Sequence, residues 1–336
     1  MLKEAILYKK LEDNKISCYL CSHRCQIPDG KFGICSVRQN KKGVLYTHAY
    51  REVVAANIDP IEKKPLFHFL PGSKSFSIAT AGCNFRCGFC QNWRISQKTE
   101  FDKLGGGARD IAPEEVVALA KKSRCQSISY TYTEPTVFFE YAWEISRLAK
   151  KEGIKNVFVT NGYMTKEALE EIAPFLDAAN VDLKSFRDSY YRKTCGASLE
   201  PVKESIKLMH QLKIWVEITT LIVPTLNDSK EELKGLADFI ASVGIEIPWH
   251  ISRFHPEYKV NDLESTPVET LKMAQAIGKK SGLRHVYLGN VPLEGENTYC
   301  YKCNELLIER YGFSILQQKI NKSRCPKCDS VVEGVF

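Results

Sequence analysis

The sequence has no apolar run approaching the ~20 residues that a membrane-spanning helix requires. Its opening, MLKEAILYKKLED, scatters charge where a secretory signal would carry an apolar core. There is no low-complexity segment and no internal repeat beyond an alternation of strands and helices. A glycine-rich phosphate loop, an aromatic-basic stripe for RNA and an acyl-transfer triad are all missing. These absences point to a cytosolic protein without a membrane role, and they set aside the nucleotide-phosphate and serine-hydrolase classes. The net charge of +7 is spread thinly over 336 residues. Such an excess is compatible with an anionic cofactor or with RNA and demands neither.

What is abundant is cysteine. There are 13 in the chain, and a reducing compartment disfavours disulfides, so metal binding or catalysis is the default reading. Eleven fall into three groups: Cys18, Cys21, Cys25 and Cys35; Cys83, Cys87 and Cys90; and Cys300, Cys303, Cys325 and Cys328. Cys125 and Cys195 stand alone.

The rest of the chain organises around these groups. Residues 1–75 read as a cysteine-rich lobe and a linker, DPIEKKPLFHFLPG, broken by Pro60, Pro65 and Pro71. From residue 76, β-rich runs (76–80, 126–131, 156–160, 180–183, 214–223, 249–254 and 285–288) alternate with amphipathic segments near 113–124, 136–152, 165–175, 200–212, 229–243 and 267–281. Asp228 with Glu231 suggests a capping box, and Thr266-Pro267-Val268-Glu269 a second marked helix start. Repeated strand–helix units predict an α/β fold with a parallel sheet. The expected architecture is a partial (β/α)6 TIM-like barrel over 76–290, with a doubly wound sheet as the alternative. Residues 291–336 form a small cysteine-rich tail. Either architecture puts active-site groups at the C-terminal ends of strands.

Cys83-x3-Cys87-x2-Cys90 directly follows the first of these strands. Three thiolates on so short a loop can hold a cubane of four irons with one iron left free of protein ligands, open to a small molecule. Gly82 and Gly88 allow close backbone approach. The competing reading is a structural zinc or iron site completed by Cys125 or Cys195.

The motif resembles that of radical S-adenosylmethionine (radical SAM) enzymes, with Phe89 at the usual aromatic position. The segments CYLCSHRCQIPDGKFGICSVRQN, DPIEKKPLFHFLPGS, GCNFRCGFCQNW, YTYTEPT, VTNGYMT, NVDLKSF, LIVPTLNDS and NTYCYKCNELLIERYGF are together similar to the radical SAM component of the AmmeMemoRadiSam system. That family is related to activating enzymes of glycyl-radical enzymes such as pyruvate formate-lyase. The resemblance implies a 4Fe-4S cluster on Cys83, Cys87 and Cys90, and reductive cleavage of SAM to a 5′-deoxyadenosyl radical that abstracts hydrogen from a substrate. It also implies a reductant such as flavodoxin or ferredoxin, and pathway partners with an AMMECR domain and a Memo-like fold. A protein glycyl site, a tRNA and a metabolite are all candidate substrates. By position, Glu134 would hold the SAM amino group, although Tyr132 and Thr133 replace the relatives' two glycines. Asn161 would contact SAM, Lys184 would pair with its carboxylate, Asp182 would bind nearby polar groups or a cation, and His255 would approach the ribose. For these residues a helix cap, a turn, an ion pair and an ordinary loop are the respective structural alternatives. Cys195 is a structural thiol or a hydrogen donor to a substrate radical.

Cys300-x2-Cys303 and Cys325-x2-Cys328, 21 residues apart, read as a zinc ribbon. Cys18-x2-Cys21-x3-Cys25, followed by Cys35, reads as a zinc site first and an auxiliary 4Fe-4S cluster second, because the relatives' extra clusters lie after the radical SAM loop. The contrasting hypothesis for the whole chain is a non-catalytic interaction protein whose four-cysteine modules dock RNA or protein.

Overall fold

Buried strands with few polar breaks favour a sheet covered on both faces, and the central strands have that character. The computed structural model describes residues 2–103, 105–291 and 295–336. Its core is a nine-stranded sheet. Strand β1 (Glu52–Pro60) runs antiparallel to β2 (Lys74–Thr80). The next strands are β3 (Ser127–Tyr130), β4 (Lys155–Thr160), β5 (Ala178–Asp182), β6 (Trp215–Ile222), β7 (Trp249–Arg253) and β8 (Val286–Gly289). From β2 to β8 each strand pairs in parallel with the next in chain order. Strict sequential order leaves no topological switch point, so the architecture is the partial barrel and not the doubly wound sheet. The ninth strand, Arg109–Asp110, edges β1.

Helices α1 (Pro113–Lys122), α2 (Phe139–Lys151), α3 (Lys166–Ile172), α4 (Leu199–Gln211), α5 (Lys230–Val243) and α6 (Val268–Lys280) connect successive strands. Each turns an apolar stripe to the sheet; on α2 it is Phe139, Ala142, Ile145 and Ala149. Among the described residues no helix is long and apolar enough to cross a membrane.

Two local expectations need correction. The cap of α5 is Ser229, whose hydroxyl accepts from Glu232 N at 3.2 Å, so the capping residue is not Asp228. Glu232 instead receives Phe186 N and Arg187 Nε, fixing the loop after β5. Thr266 does not cap α6. Its hydroxyl accepts from Phe254 N and donates to Ile222 O, tying the ends of β6 and β7 together. The core sheet also begins upstream of residue 76, because β1 belongs to it.

The proline-broken linker inserts beneath the barrel. Glu217 on β6 accepts from the backbone N–H groups of Phe67 and His68 and from His250 Nε2. The C-terminal tail locks the linker in place. Leu70 N donates to Val335 O and Val335 N donates to His68 O, and Arg310 donates to Phe67 O at 2.8 Å while covering the Phe67 ring. Linker, barrel floor and tail are therefore one packed unit.

Buried histidines in that unit predict acid sensitivity. Burial, then the Arg284 and Arg310 charges, push His285 down to about 3. Burial, then His285, pushes His68 well below the ordinary range. Both histidines fold neutral, so their contribution is complete above pH ~6.5 and is lost as pH falls toward their folded values, at about 1.4 kcal/mol per pH unit per group. His285→Phe is expected to lower the acid slope by about one proton, read by denaturant unfolding of both proteins at pH 7 and pH 5. Equal slopes would contradict the assignment.

Candidate active site

The C-terminal ends of β2–β8 surround a cavity of about 1170 Å³. Its wall includes Cys83, Cys87 and Cys90 from the loop after β2, Asn161 after β4, and Asp182 with Lys184 at the end of β5. Phe89 and His255 also line it. Barrel topology thus brings together residues spread over 170 positions of sequence.

The cysteine loop is shaped from two sides. Gly82 has φ +107°, and a Cβ there would stand 2.7 Å from Val37 Cγ1 and 3.3 Å from Cys35 O. Glycine is required at this position by the approach of the N-terminal lobe. Gly88 has no such crowding. Arg86 donates to Cys83 O and Phe85 O and reaches across to Ile34 O. Asn161 Nδ2 donates to Cys83 Sγ at 3.4 Å, Phe85 N donates to the same sulfur at 3.3 Å, and Ser96 Oγ lies 3.3 Å from Cys90 Sγ. Hydrogen bonds to sulfur tune a cluster's potential. Burial pushes the Cys83 and Cys90 thiols up, and a cationic inorganic core is what would compensate thiolates here. Three thiols presented by one short loop to the wall of a large cavity fit a cluster with one open iron. The Sγ atoms of Cys300, Cys303, Cys325 and Cys328, by contrast, all lie within 4.8 Å of one another, as around a single ion.

Glu134 is placed behind the wall. It is buried and absent from the cavity lining. Its carboxylate accepts from Thr136 N and Oγ1, Thr160 Oγ1 and Asn161 N, at 2.5 to 3.1 Å. Burial pushes the carboxyl up and these donors oppose the shift. It is both a cap and the anchor of the Asn161 turn, and Asn161 in turn holds Cys83. Glu134→Ala would strand several buried donors and is expected to destabilise the fold by about 2–4 kcal/mol, measured by denaturant unfolding. An unchanged midpoint would contradict this role.

Asp182 and Lys184 face the cavity together, Oδ2 to Nζ 2.7 Å. Burial opposes the Lys184 charge, but Asp182 together with the Cys87 and Cys195 sulfurs outweighs it, so the ammonium stays well above the ordinary lysine range. His255 is exposed, with Nδ1 3.0 Å from Ser265 Oγ. Cys195 is fully buried behind Cys87 and does not line the cavity; its hydrogen bond, then burial, pushes the Cys87 thiol up.

Sequence reasoning assigned no role to Asp59, Lys64 or Tyr132. Tyr132 has φ +64°, the left-handed conformation that glycine adopts freely. Its hydroxyl donates to Asp59, and Lys64 Nζ pairs with Asp59 at 2.7 Å while lying 4.5 Å from the ring centroid. This packing holds Tyr132 in the left-handed conformation. Burial, against the pull of Asp59, brings Lys64 down to about 8. The signal was the DPIEKKP string, quoted for its resemblance but given no function. The tip of the tail hairpin, Tyr311–Phe313, also reaches the cavity rim, which the cysteine spacing gave no reason to expect.

An open parallel barrel that presents three cysteines on one loop to a ligand-sized cavity is the frame of an enzyme holding an iron–sulfur cluster beside a bound small molecule. The model of the radical SAM superfamily matches residues 77–240. An uncharacterized protein of Methanocaldococcus jannaschii, MJ0808, is 47% identical over the whole of both chains. The pyruvate formate-lyase-activating enzyme of Clostridium pasteurianum is 25% identical over 57% of this chain and 84% of its own. A crystal structure of a radical SAM methyltransferase from Sphaerobacter thermophilus aligns with a TM-score of 0.51 at 17% identity, covering 66% of this chain and 67% of that one. Residues 77–240 match a radical SAM domain, and the chain has distant homology to pyruvate formate-lyase-activating enzymes. The match supports cleavage of SAM at an iron–sulfur cluster and does not favour the non-catalytic reading.

Proposed function

We propose that this protein is an activase-like radical SAM oxidoreductase of the AmmeMemoRadiSam type, acting in the cytoplasm. The observation that carries the reading is the convergence of Cys83, Cys87 and Cys90 with the Asp182–Lys184 pair around one cavity. A 4Fe-4S cluster on the three cysteines would supply the electron that cleaves SAM to methionine and a 5′-deoxyadenosyl radical. The remaining work belongs to the chain. Lys184, held charged by Asp182, is suited to the SAM carboxylate. Asn161 positions Cys83 through its sulfur, and Phe89 and His255 bound the space for the adenosyl group. The enclosing strands and the linker plug below them keep water from the floor. At about 1170 Å³ the cavity exceeds the ~300–1,000 Å³ usual for a single ligand, which supports a substrate entering beside SAM. That substrate is a protein glycyl site, a tRNA or a metabolite.

The C-terminal cysteines would hold one structural zinc. Their sulfurs approach in pairs at 3.6 Å, close to the ~3.8 Å that tetrahedral Zn–S bonds of ~2.3 Å give. We place residues 1–75, 76–290 and 291–336 as lobe with linker, catalytic core and zinc module, the first of these lending β1 to the core sheet. A flavodoxin- or ferredoxin-type protein would supply electrons, and proteins with AMMECR and Memo-like domains would act in the same pathway. The test is anaerobic reconstitution with iron and sulfide, then dithionite and SAM. The expected result is brown protein that releases 5′-deoxyadenosine and methionine in equal amounts. Colourless protein without SAM turnover would overturn the reading.

A further inference from the structure

The inner face of the barrel carries polar side chains where a purely structural interior would be apolar. In parallel register, Asp182, Thr219 and His250 stand side by side on β5, β6 and β7, and all three line the cavity. Adjacent strands are ~4.8 Å apart, so His250 lies roughly 10 Å along the wall from Asp182. That is the part of the cavity beyond the groups suited to SAM.

His250 is one half of a dyad. Its Nε2 lies 2.7 Å from Glu217 Oε2. A carboxylate oxygen accepts, so Nε2 carries the hydrogen and Nδ1 is left as the acceptor of the ring. The ring is clamped: Tyr287 stacks on it at 5.2 Å, and Phe67 meets it edge-on at 4.8 Å. Glu217 is fixed in turn by Phe67 N, His68 N and Trp215 Nε1, at 2.8 to 3.0 Å. Those three donors anchor the linker without His250.

His68 shows a structural histidine in the same floor. Both of its ring nitrogens are spent, on Glu333 O and on the Tyr287 hydroxyl, and it is absent from the cavity wall. His250 spends one, and among the described residues its Nδ1 has no partner. Beside it, Thr219 Oγ1 is buried and unpartnered. Buried polar atoms are normally satisfied; here a group bound in the cavity can satisfy them.

We propose that His250 is an acid–base residue of the cavity floor, which takes through Nδ1 the proton of a substrate hydroxyl beside the reacting C–H bond, while Glu217 holds the ring and the charge it gains. Once a hydrogen atom has left the carbon beside it, such a hydroxyl is far more acidic than in the parent alcohol, which brings its proton within reach of an imidazole. The proton moves from the substrate oxygen to Nδ1, and the electron pair stays on the oxygen. Nothing is oxidised or reduced in that step. A substrate that presents a hydroxyl, as a ribose or a small metabolite does, is therefore favoured over a glycyl backbone. The role in turnover rests on the catalytic reading above; the reactivity of His250 does not.

Diethyl pyrocarbonate, with the modified histidines located by peptide mass spectrometry on the reconstituted protein, reads an unprotonated ring nitrogen that a small molecule can reach. His250 is expected to react at least about tenfold faster than His68 and His285, which must wait for local opening of the floor. Glu217→Gln should slow His250 at least about tenfold and leave His68 and His285 unchanged, whereas a merely structural Glu217 would loosen the floor and speed all three. Phenol, anisole and benzoate then serve as probes that share a ring, and of the three only phenol donates an O–H. Phenol should protect His250 several-fold, and anisole and benzoate should not. Equal rates for the three histidines would overturn the proposal, and so would protection by all three probes or by none. Those results would leave SAM cleavage standing. The expected pattern in a protein that releases no 5′-deoxyadenosine would instead remove the catalytic reading.

Discussion

Replacing Cys87 by alanine is expected to reduce 5′-deoxyadenosine release to the assay background. That is a larger loss than the ~10–100-fold typical when only an outer partner of a metal site is removed. Cys87 lines the cavity between Cys83 and Cys90 on a loop that supplies no fourth cysteine. Cys195, whose sulfur hydrogen-bonds to that of Cys87, is buried behind it and does not line the cavity. Cys195→Ala should therefore retain turnover, with at most a shift in cluster potential from the lost sulfur hydrogen bond. The pair of variants distinguishes ligation from proximity. Comparable losses in both would mean that Cys195 is a ligand and that the open iron position does not exist. Release by Cys87→Ala at the wild-type rate would remove the loop from the chemistry altogether.

The second large effect concerns the tail. Cys303→Ser is expected to abolish the zinc that Cys300, Cys303, Cys325 and Cys328 bind, and to unfold a module with little core of its own. Among the described residues, only Cys300, Leu307, Ile308, Cys325 and Val332 make up its buried apolar cluster. Structural zinc contributes about 10–16 kcal/mol of apparent folding energy in small peptides, and most of that would be lost locally. The damage should spread, because Arg310 and Val335 hold the linker beneath the barrel. Two readouts are expected to move together: zinc content falls by about one equivalent, and limited proteolysis cuts both the tail and the 61–73 linker. A variant that lost zinc but protected the linker would show that module and barrel are independent. One that kept its zinc would refute four-thiolate coordination.

Strand–helix alternation made the barrel readable because parallel strands and amphipathic helices leave period-specific apolar patterns. The cysteine loop was readable because ligand spacing is local. Four things were not. Ser229 caps α5 in place of Asp228, since one-residue cap choices depend on which side chains the next loop recruits; here that was Glu232. Glu134 lies behind the cavity wall: position in a motif names the residue but not which way its carboxylate turns. The Asp59–Lys64–Tyr132 cluster joins residues up to 73 positions apart, and no periodicity encodes such a contact. Contact between the N-terminal lobe and Gly82 was equally hidden, because a glycine at positive φ reveals the need for room and not what fills it.

The central claim is that three cysteines leave one iron of the site cluster open to SAM. It is tested most directly by electron paramagnetic resonance (EPR) on the dithionite-reduced protein, with the Cys83→Ala, Cys87→Ala, Cys90→Ala variant as the control that identifies the loop cluster's signal. The expected result is a change in g values when SAM is added, absent when methionine and adenosine are added instead. A spectrum that SAM leaves unaltered would contradict the account.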